Sequence, residues 1–211
     1  LERILGEAIL YEDQRVIVID KPAGVSVQRS GTERGVKETF QGMRGEGVYI
    51  ELVHRLDKGT SGCLVLAKKR SYLRQLHALL RSRSVTKQYF ALVKGDWPGG
   101  ERVVRAPLLK NVLQSGERMV RVDKLAGKPS VSRFTPLRRF GRATLVLVQI
   151  ETGRTHQIRV HAAHLGCPVA GDEKYGDREF NKAMRALGLN RMFLHSASIA
   201  FADPSHPAWL G

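Results

Sequence analysis

Short apolar runs rich in β-branched residues recur along the chain, and each of them predicts a strand. The first two runs, at 9–12 and 16–19, are separated by Glu12-Asp13-Gln14, which is typical of a turn. Further runs predict strands at 63–67, 85–93, 131–137, 143–150 and 194–201. A second turn is expected at Lys21-Pro22-Ala23-Gly24.

Two segments instead show the spacing of an amphipathic helix. Ser71 is expected to cap a helix whose apolar face carries Leu73, Leu76, Leu79 and Leu80. Thr155 is expected to cap a second helix that runs to about Leu165, where Gly166 and Pro168 end it. The glycine-rich residues 29–47 predict a loop or a short helix.

The predicted strands outnumber the helices and do not alternate with them in a βαβ rhythm. The pattern therefore favours the α+β class, with a mixed, mostly antiparallel central sheet and flanking helices. A length of 211 residues suits a single domain over 1–211, and 42% hydrophobic residues suffice for a sizeable core.

The charge of the chain adds the first indication of a partner. There are 35 Lys and Arg residues against 20 Asp and Glu residues, a net charge of +15. Between Lys68 and Arg142 there are 19 basic and only 4 acidic residues. Such an excess favours a polyanion, most often a nucleic acid, over the alternative of surface charge that serves solubility.

No apolar run reaches the roughly 18 residues that a membrane span needs, so we expect no membrane association. Cys63 and Cys167 lie far apart and form no CxxC pair. A reducing, cytoplasmic location is the resulting expectation.

The segment His54-Arg55-Leu56-Asp57-Lys58-Gly59-Thr60-Ser61-Gly62 is the first candidate site. Asp57, taken alone, is more typical of a turn, because Asp, Thr, Ser and Gly all favour turns. The neighbouring Arg55 favours the interpretation of Asp57 as a site residue, since an arginine side chain can enter an opened base stack or bind a phosphate. Loops carried by strands are also common places for active sites.

Two further segments carry candidate residues. In Lys87-Gln88-Tyr89-Phe90-Ala91-Leu92-Val93, strand alternation puts Tyr89 on one face, where it either packs in the sheet or stacks on a base. In the stretch 153–161, Arg159 lies at the border of an apolar stripe, where a guanidinium usually has a carboxylate partner. A structural ion pair and a catalytic partnership are both compatible with that position.

The remaining motif tests concern metals and cofactors. His156, His161 and His164 lack the HExxH spacing and nearby acidic or cysteine ligands, so we expect no metal site. Phosphate-binding and dinucleotide-binding glycine motifs are absent from the sequence, and we expect no cofactor.

Taken together, HRLDKGTSG at 54–62, KQYFALVKG at 87–95 and TGRTHQIRVH at 152–161 resemble the RluA-type pseudouridine synthases, in the same order and spacing. Three more stretches, at 106–110, 113–118 and 172–180, resemble the RluC branch, which modifies large-subunit (23S) ribosomal RNA. The resemblance covers nearly the whole chain. It implies the pseudouridine synthase fold with a central RNA-binding cleft.

The resemblance also implies roles for individual residues. Asp57 matches the essential aspartate, Tyr89 the tyrosine that stacks on the target base, and Arg159 the arginine that pairs with the aspartate. Arg55 matches the arginine that enters the helix as the uridine flips out. We also predict RNA contacts by Lys68, Arg154 and His156.

Two departures from the family pattern concern domain organisation. Nothing resembles the N-terminal S4 RNA-binding domain that RluC-like proteins commonly carry, so an isolated catalytic domain, working as a monomer, is expected. The family also continues past residue 201, whereas this chain ends soon after Pro204-Ser205-His206-Pro207, which suggests a trimmed or divergent end.

Overall fold

The computed structural model describes residues 1–45 and 47–202. Over these residues the chain divides into two compact units, the first formed by 1–86 and 195–202 and the second by 87–194. The stretch from Pro204 to Pro207 lies outside the described residues. The expectation of a single catalytic domain stays a prediction.

The elements of the described residues follow in chain order. The helices are α1 (Glu2–Glu7), α2 (Val36–Arg44), α3 (Arg70–Arg81), α4 (Gln157–His164) and α5 (Arg178–Ala186). The strands are β1 (Ile9–Glu12), β2 (Val16–Lys21), β3 (Glu51–Leu52), β4 (Ser61–Ala67), β5 (Val85–Lys94), β6 (Arg102–Arg105), β7 (Leu108–Val112), β8 (Arg118–Val122), β9 (Val131–Arg139), β10 (Ala143–Ile150) and β11 (Leu194–Phe201).

In the first unit the strands lie in the order β1-β2-β4-β11. β4 pairs antiparallel with β2 and with β3, and parallel with β11. Apolar side chains of β2, β4 and β11 form a core that α3 covers with Tyr72 and Leu76. The predicted leucine face of this helix is confirmed, because Leu73, Leu79 and Leu80 pack against the same core.

In the second unit the strands lie in the order β5-β10-β9-β6, and all of these pairs are antiparallel. β7 and β8 form a separate hairpin. Val160 of α4 packs in one cluster with Leu108 and Val120 of that hairpin. α5 contributes Phe180 and Met184 to another cluster. Both units are mixed α and β with mostly antiparallel strands, so the predicted α+β class is confirmed.

The predicted strands are confirmed with small shifts at their ends, and the stretch at 29–47 contains the short helix α2. The two predicted helix caps were wrong. α3 has its N-cap at Lys69 with no side-chain hydrogen bond, and Ser71 lies inside the helix. α4 has its N-cap at His156, one residue after the predicted cap Thr155, and again without a side-chain hydrogen bond.

Candidate active site

Asp57 lies in a loop that leads into β4 and is tied to it by its neighbours. The amide of Val53 donates to the Val65 carbonyl at 3.0 Å, and the amide of Val65 donates to Nε2 of His54 at 3.1 Å. The amide of Thr60 donates to the Asp57 carbonyl at 3.0 Å and closes a tight turn. The structure thus confirms a turn at Asp57 and shows that strand residues hold it in place.

The Lys21 side chain binds the same loop through the carbonyl of Lys58, a role that the sequence did not reveal. Its side chain is fully buried. Its Nζ donates to the carbonyls of Pro22 at 2.9 Å, Val25 at 2.8 Å and Lys58 at 3.3 Å. These acceptors offset part of the cost of burying an ammonium group. The residue after Asp57 is therefore bound to the 22–25 turn.

The C-terminal side of the loop is equally constrained. Ser61 Oγ lies 2.8 Å from Nδ1 of His195, within hydrogen-bonding distance. Gly62 has φ +107°, and a Cβ atom there would overlap the backbone of Ser196, whose nitrogen it would approach to 2.7 Å. Only glycine fits that position, because both the left-handed backbone and the space exclude a side chain.

The side chains that the loop presents differ in exposure. Leu56 is buried and anchors the loop, Asp57 is half-buried, and Arg55 is exposed. Within the described part of the chain, the Arg55 side chain has no hydrogen bond or ion pair. The exposed guanidinium of Arg55 is therefore compatible with a contact to RNA, which stays a prediction.

Lys68 directly follows the last residue of β4, whereas Asp57 lies in the loop that leads into the first residue of that strand. Its Nζ contacts Glu12 at 2.8 Å and the carbonyl of Asp13 at 2.7 Å. This geometry favours a structural role at the β1–β2 turn over RNA binding next to Asp57.

Tyr89 lies in the second unit, on β5, directly opposite Val148 of β10. Only 7% of it is exposed. Ala91 and Val93 on the same face are fully buried, whereas Phe90 on the other face is 37% exposed, as strand alternation predicts. This burial fits an aromatic residue packed in the sheet, and the stacking of Tyr89 on a base stays a prediction.

Arg159 forms a bidentate ion pair with Asp172. Nε lies 2.7 Å from Oδ2, and Nη2 lies 2.9 Å from Oδ1. The carboxylate partner that the sequence predicts for Arg159 is therefore present, and Asp172 is one such partner. The predicted pairing of Arg159 with Asp57 stays a prediction.

The carboxylate of Asp172 is held in its ionised form. Burial opposes ionisation, but hydrogen bonds and charge from Arg159, together with the amides of Tyr175 and Lys174, outweigh it and lower the pKa of Asp172. With its oxygens committed to these donors, Asp172 is poorly suited to binding a metal ion.

His156 and Arg159 meet at the ring of Tyr175. Nδ1 of His156 lies 2.7 Å from the Tyr175 hydroxyl, which also accepts from the amide of Val120 at 2.9 Å. The Arg159 guanidinium lies 5.1 Å from the centre of the same ring. His156 has φ 55°, an uncommon conformation for a residue with a side chain. Uncommon backbone conformations of this kind are found more often at functional sites than elsewhere.

Gln157, whose role the sequence did not reveal, fixes the loop that carries Arg154. Its side chain is buried and accepts from the Thr152 hydroxyl at 2.7 Å and the Arg154 amide at 3.1 Å. It donates to the Val131 carbonyl and the Ser132 hydroxyl, both at 2.9 Å. Arg154 itself is exposed, and its Nε donates to the Pro129 carbonyl at 3.2 Å.

His161 is a core residue. It is fully buried between the Ser132 hydroxyl, 2.8 Å from Nδ1, and the Ala106 carbonyl, 2.9 Å from Nε2. Burial lowers the pKa of this imidazole. Among the residues that the structure describes, no three His, Cys, Asp or Glu side chains cluster as metal ligands would. No helix of that part is long and apolar enough to cross a membrane.

The candidate residues thus fall into two groups by unit. Arg55, Asp57 and Lys68 belong to the first, and Tyr89, Arg154, His156 and Arg159 to the second. The family model of RNA pseudouridylate synthase matches residues 15–164, which is more than half of the chain. The chain therefore belongs to the RNA pseudouridylate synthase family.

Individual members of this family share about half of the aligned residues with this chain. The chain is 51% identical over 203 residues to ribosomal large subunit pseudouridine synthase C of Escherichia coli (strain K12) and 52% identical over 203 residues to the protein of that name from Haemophilus influenzae. The matches cover 95% and 96% of this chain. The chain spans 63% of the length of these curated relatives, which is less than two thirds.

Solved structures agree with the family assignment. Human RNA pseudouridylate synthase domain containing 1 superposes with a TM-score of 0.77 at 25% identity, covering 94% of this chain and 79% of that one. Human RNA pseudouridylate synthase domain containing 4 gives 0.75 at 26% identity, with 94% and 85% covered. The predicted family and fold are confirmed.

Proposed function

We propose that this chain isomerises specific uridines to pseudouridine in large-subunit (23S) ribosomal RNA, with Asp57 as the essential residue. The observation that carries the proposal is the HRLDKGTSG loop, which the family shares and which Lys21, His54 and Gly62 hold rigid in this chain. The names of the curated relatives support ribosomal RNA as the substrate. The net charge of +15 supports a polyanionic partner.

The reaction breaks the bond between ribose C1′ and uracil N1, turns the base, and joins C1′ to C5. The proton on C5 is lost and N1 gains one, so that atoms and electrons balance without an oxidant or reductant. Ionised Asp57 acts in this step as a nucleophile, at C1′ or at the uracil ring, or as a base that removes a sugar proton.

A uracil inside a base stack cannot turn, so the nucleotide must first leave the stack, at a cost of about a few kcal/mol. Arg55, exposed beside Asp57, is proposed to occupy the space that the base leaves. Tyr89 is proposed to stack on the flipped base, a contact worth about 1–3 kcal/mol.

Arg159 is proposed to act with Asp57 in catalysis, oriented by its bidentate pair with Asp172. Arg154 and His156, on the loop before α4, are proposed to contact the RNA. Lys68 is proposed to contact a part of the RNA distant from the target uridine, because its ammonium group already pairs with Glu12. We further propose that the enzyme works as a monomer in the cytoplasm, where its free cysteines, Cys63 and Cys167, remain reduced.

The test uses the purified chain and an unmodified transcript of large-subunit ribosomal RNA, with EDTA present. We expect intact RNA in which defined uridines have become pseudouridine, detected by nucleoside mass spectrometry and mapped by primer extension after carbodiimide treatment. Cleaved RNA and loss of activity in EDTA would instead indicate a metal-dependent nuclease. Bound but unchanged RNA would indicate a binding module and would overturn the proposal.

A further inference from the structure

Lys87 shares a face of β5 with Tyr89 and lies opposite Ile150, the last residue of β10. Two strand residues span roughly 6–7 Å, which is similar to the length of one nucleotide of an extended strand. Lys87 is partly buried, and its Nζ lies 3.4 Å from the position that a Cβ at Gly153 would occupy. The ammonium therefore faces the loop that carries Arg154 and His156.

Among the residues that the structure describes, the ammonium group of Lys87 has no partner. Within the described residues its side chain forms no ion pair or hydrogen bond, whereas Lys94 on the same strand contacts Asp177 at 2.6 Å. Lysines that are partly withdrawn from water normally have such a partner, because an uncompensated charge is costly to bury. No buried polar side-chain atom of the described residues lacks a partner, so Lys87 Nζ retains contact with solvent and is accessible to a ligand.

Burial lowers the pKa of Lys87, and no carboxylate of the described residues counteracts that effect. A bound anion would stabilise the charged form of Lys87 and so oppose the effect of burial on its pKa.

We propose that Lys87 binds a phosphate of the substrate RNA next to the target uridine, on the face of β5 that carries Tyr89. This inference rests on the proposed function. Tyr89 would receive the base while Lys87 receives a phosphate of the same nucleotide or of its neighbour, which fixes the register of the strand. A lysine serves here as a point charge, a common mode of phosphate binding.

The test compares Lys87→Met with Lys182→Met in binding to a short fragment of large-subunit ribosomal RNA, and in turnover where that fragment carries a uridine that the wild-type enzyme modifies. Lys182 is a suitable control because it is exposed on α5 and has no partner among the described residues. For Lys87→Met we expect about 10-fold weaker binding and a salt slope reduced by about 0.7. KM should rise with little change in kcat, since the contact exists before and during the reaction. Lys87→Arg should retain most of the binding.

Replacing phosphates one at a time with neutral methylphosphonates locates the contact. At one position near the target uridine, wild-type binding should fall to the level of Lys87→Met, and Lys87→Met should be insensitive to the change. If no position behaves in this way, or if Lys87→Met loses kcat while its affinity and salt slope stay unchanged, the inference is wrong. RNA binding is measured without turnover, so a failure of the proposed isomerase activity is distinguishable from a failure of this inference.

Discussion

Replacing Asp172 with Asn is expected to destabilise the protein strongly, because it removes the buried carboxylate that accepts two hydrogen bonds from the Arg159 guanidinium. The side chain of Asp172 is fully buried and that of Arg159 is 12% exposed. The Asn amide also places a donor where Oδ2 accepts from Nε of Arg159. Both effects act on the same buried contact.

The magnitude follows from the burial of the pair. Removing one partner of a buried ion pair costs about 3–5 kcal/mol. A matched surface change is Glu7→Gln, which breaks an ion pair with Arg3 whose side chains are 68% and 89% exposed. That substitution should cost at most about 0.5 kcal/mol.

Urea unfolding at pH 7, followed by circular dichroism, measures both costs. With a slope of about 2 kcal/mol per molar urea, Asp172→Asn should lower the midpoint by about 1.5–2.5 M, and Glu7→Gln by less than 0.3 M. The pKa of Asp172 is lowered in the folded state, so its contribution is present above the ordinary carboxyl value near 4 and declines as the pH falls below it. A cost of Asp172→Asn below about 1 kcal/mol would show that the pair with Arg159 is not a major stabilising contact.

Two further predictions concern the framework of the site. Gly62→Ala should prevent normal folding, because the added methyl group meets the Ser196 backbone at a position with φ +107°; soluble, thermally stable protein with unchanged activity would contradict this. His161 has a pKa that burial lowers, so the unfolded chain binds a proton at a pH where the folded protein does not, and stability should fall as the pH drops below about 6.5. His161→Asn, although less stable at pH 7.5, should lose less stability between pH 7.5 and 5.5 than the wild type in urea unfolding; an equal loss would assign that pH dependence to other groups.

Seven of the strands, but not β3 or β6, were predictable from the sequence because each of the seven is a run of β-branched and apolar residues. The run at 143–150, for example, coincides with β10. The hairpin strands β7 and β8 were missed, since charged residues interrupt their apolar positions. The helix caps depended on backbone angles, such as the left-handed conformation of His156, that residue preferences alone do not reveal.

The candidate site was predictable to the extent that motifs carry it. The HRLDKGTSG loop pointed to Asp57, and the arginine in the third motif pointed to a carboxylate partner. The partner Asp172 and the buried Lys21 were not predictable in these roles, because the contacts join residues 13 and 37 positions apart. A lysine at the end of a strand is also expected to be exposed, and here it is fully buried.

The proposal that Asp57 carries the isomerisation is tested by Asp57→Asn, with Asp20→Asn as the control. Asp20 is an exposed carboxylate in the same unit. We expect Asp57→Asn to bind large-subunit ribosomal RNA with near wild-type affinity but to form no pseudouridine in single-turnover assays, while Asp20→Asn retains both properties. Pseudouridine formation by Asp57→Asn at a near wild-type rate would exclude Asp57 as the essential residue.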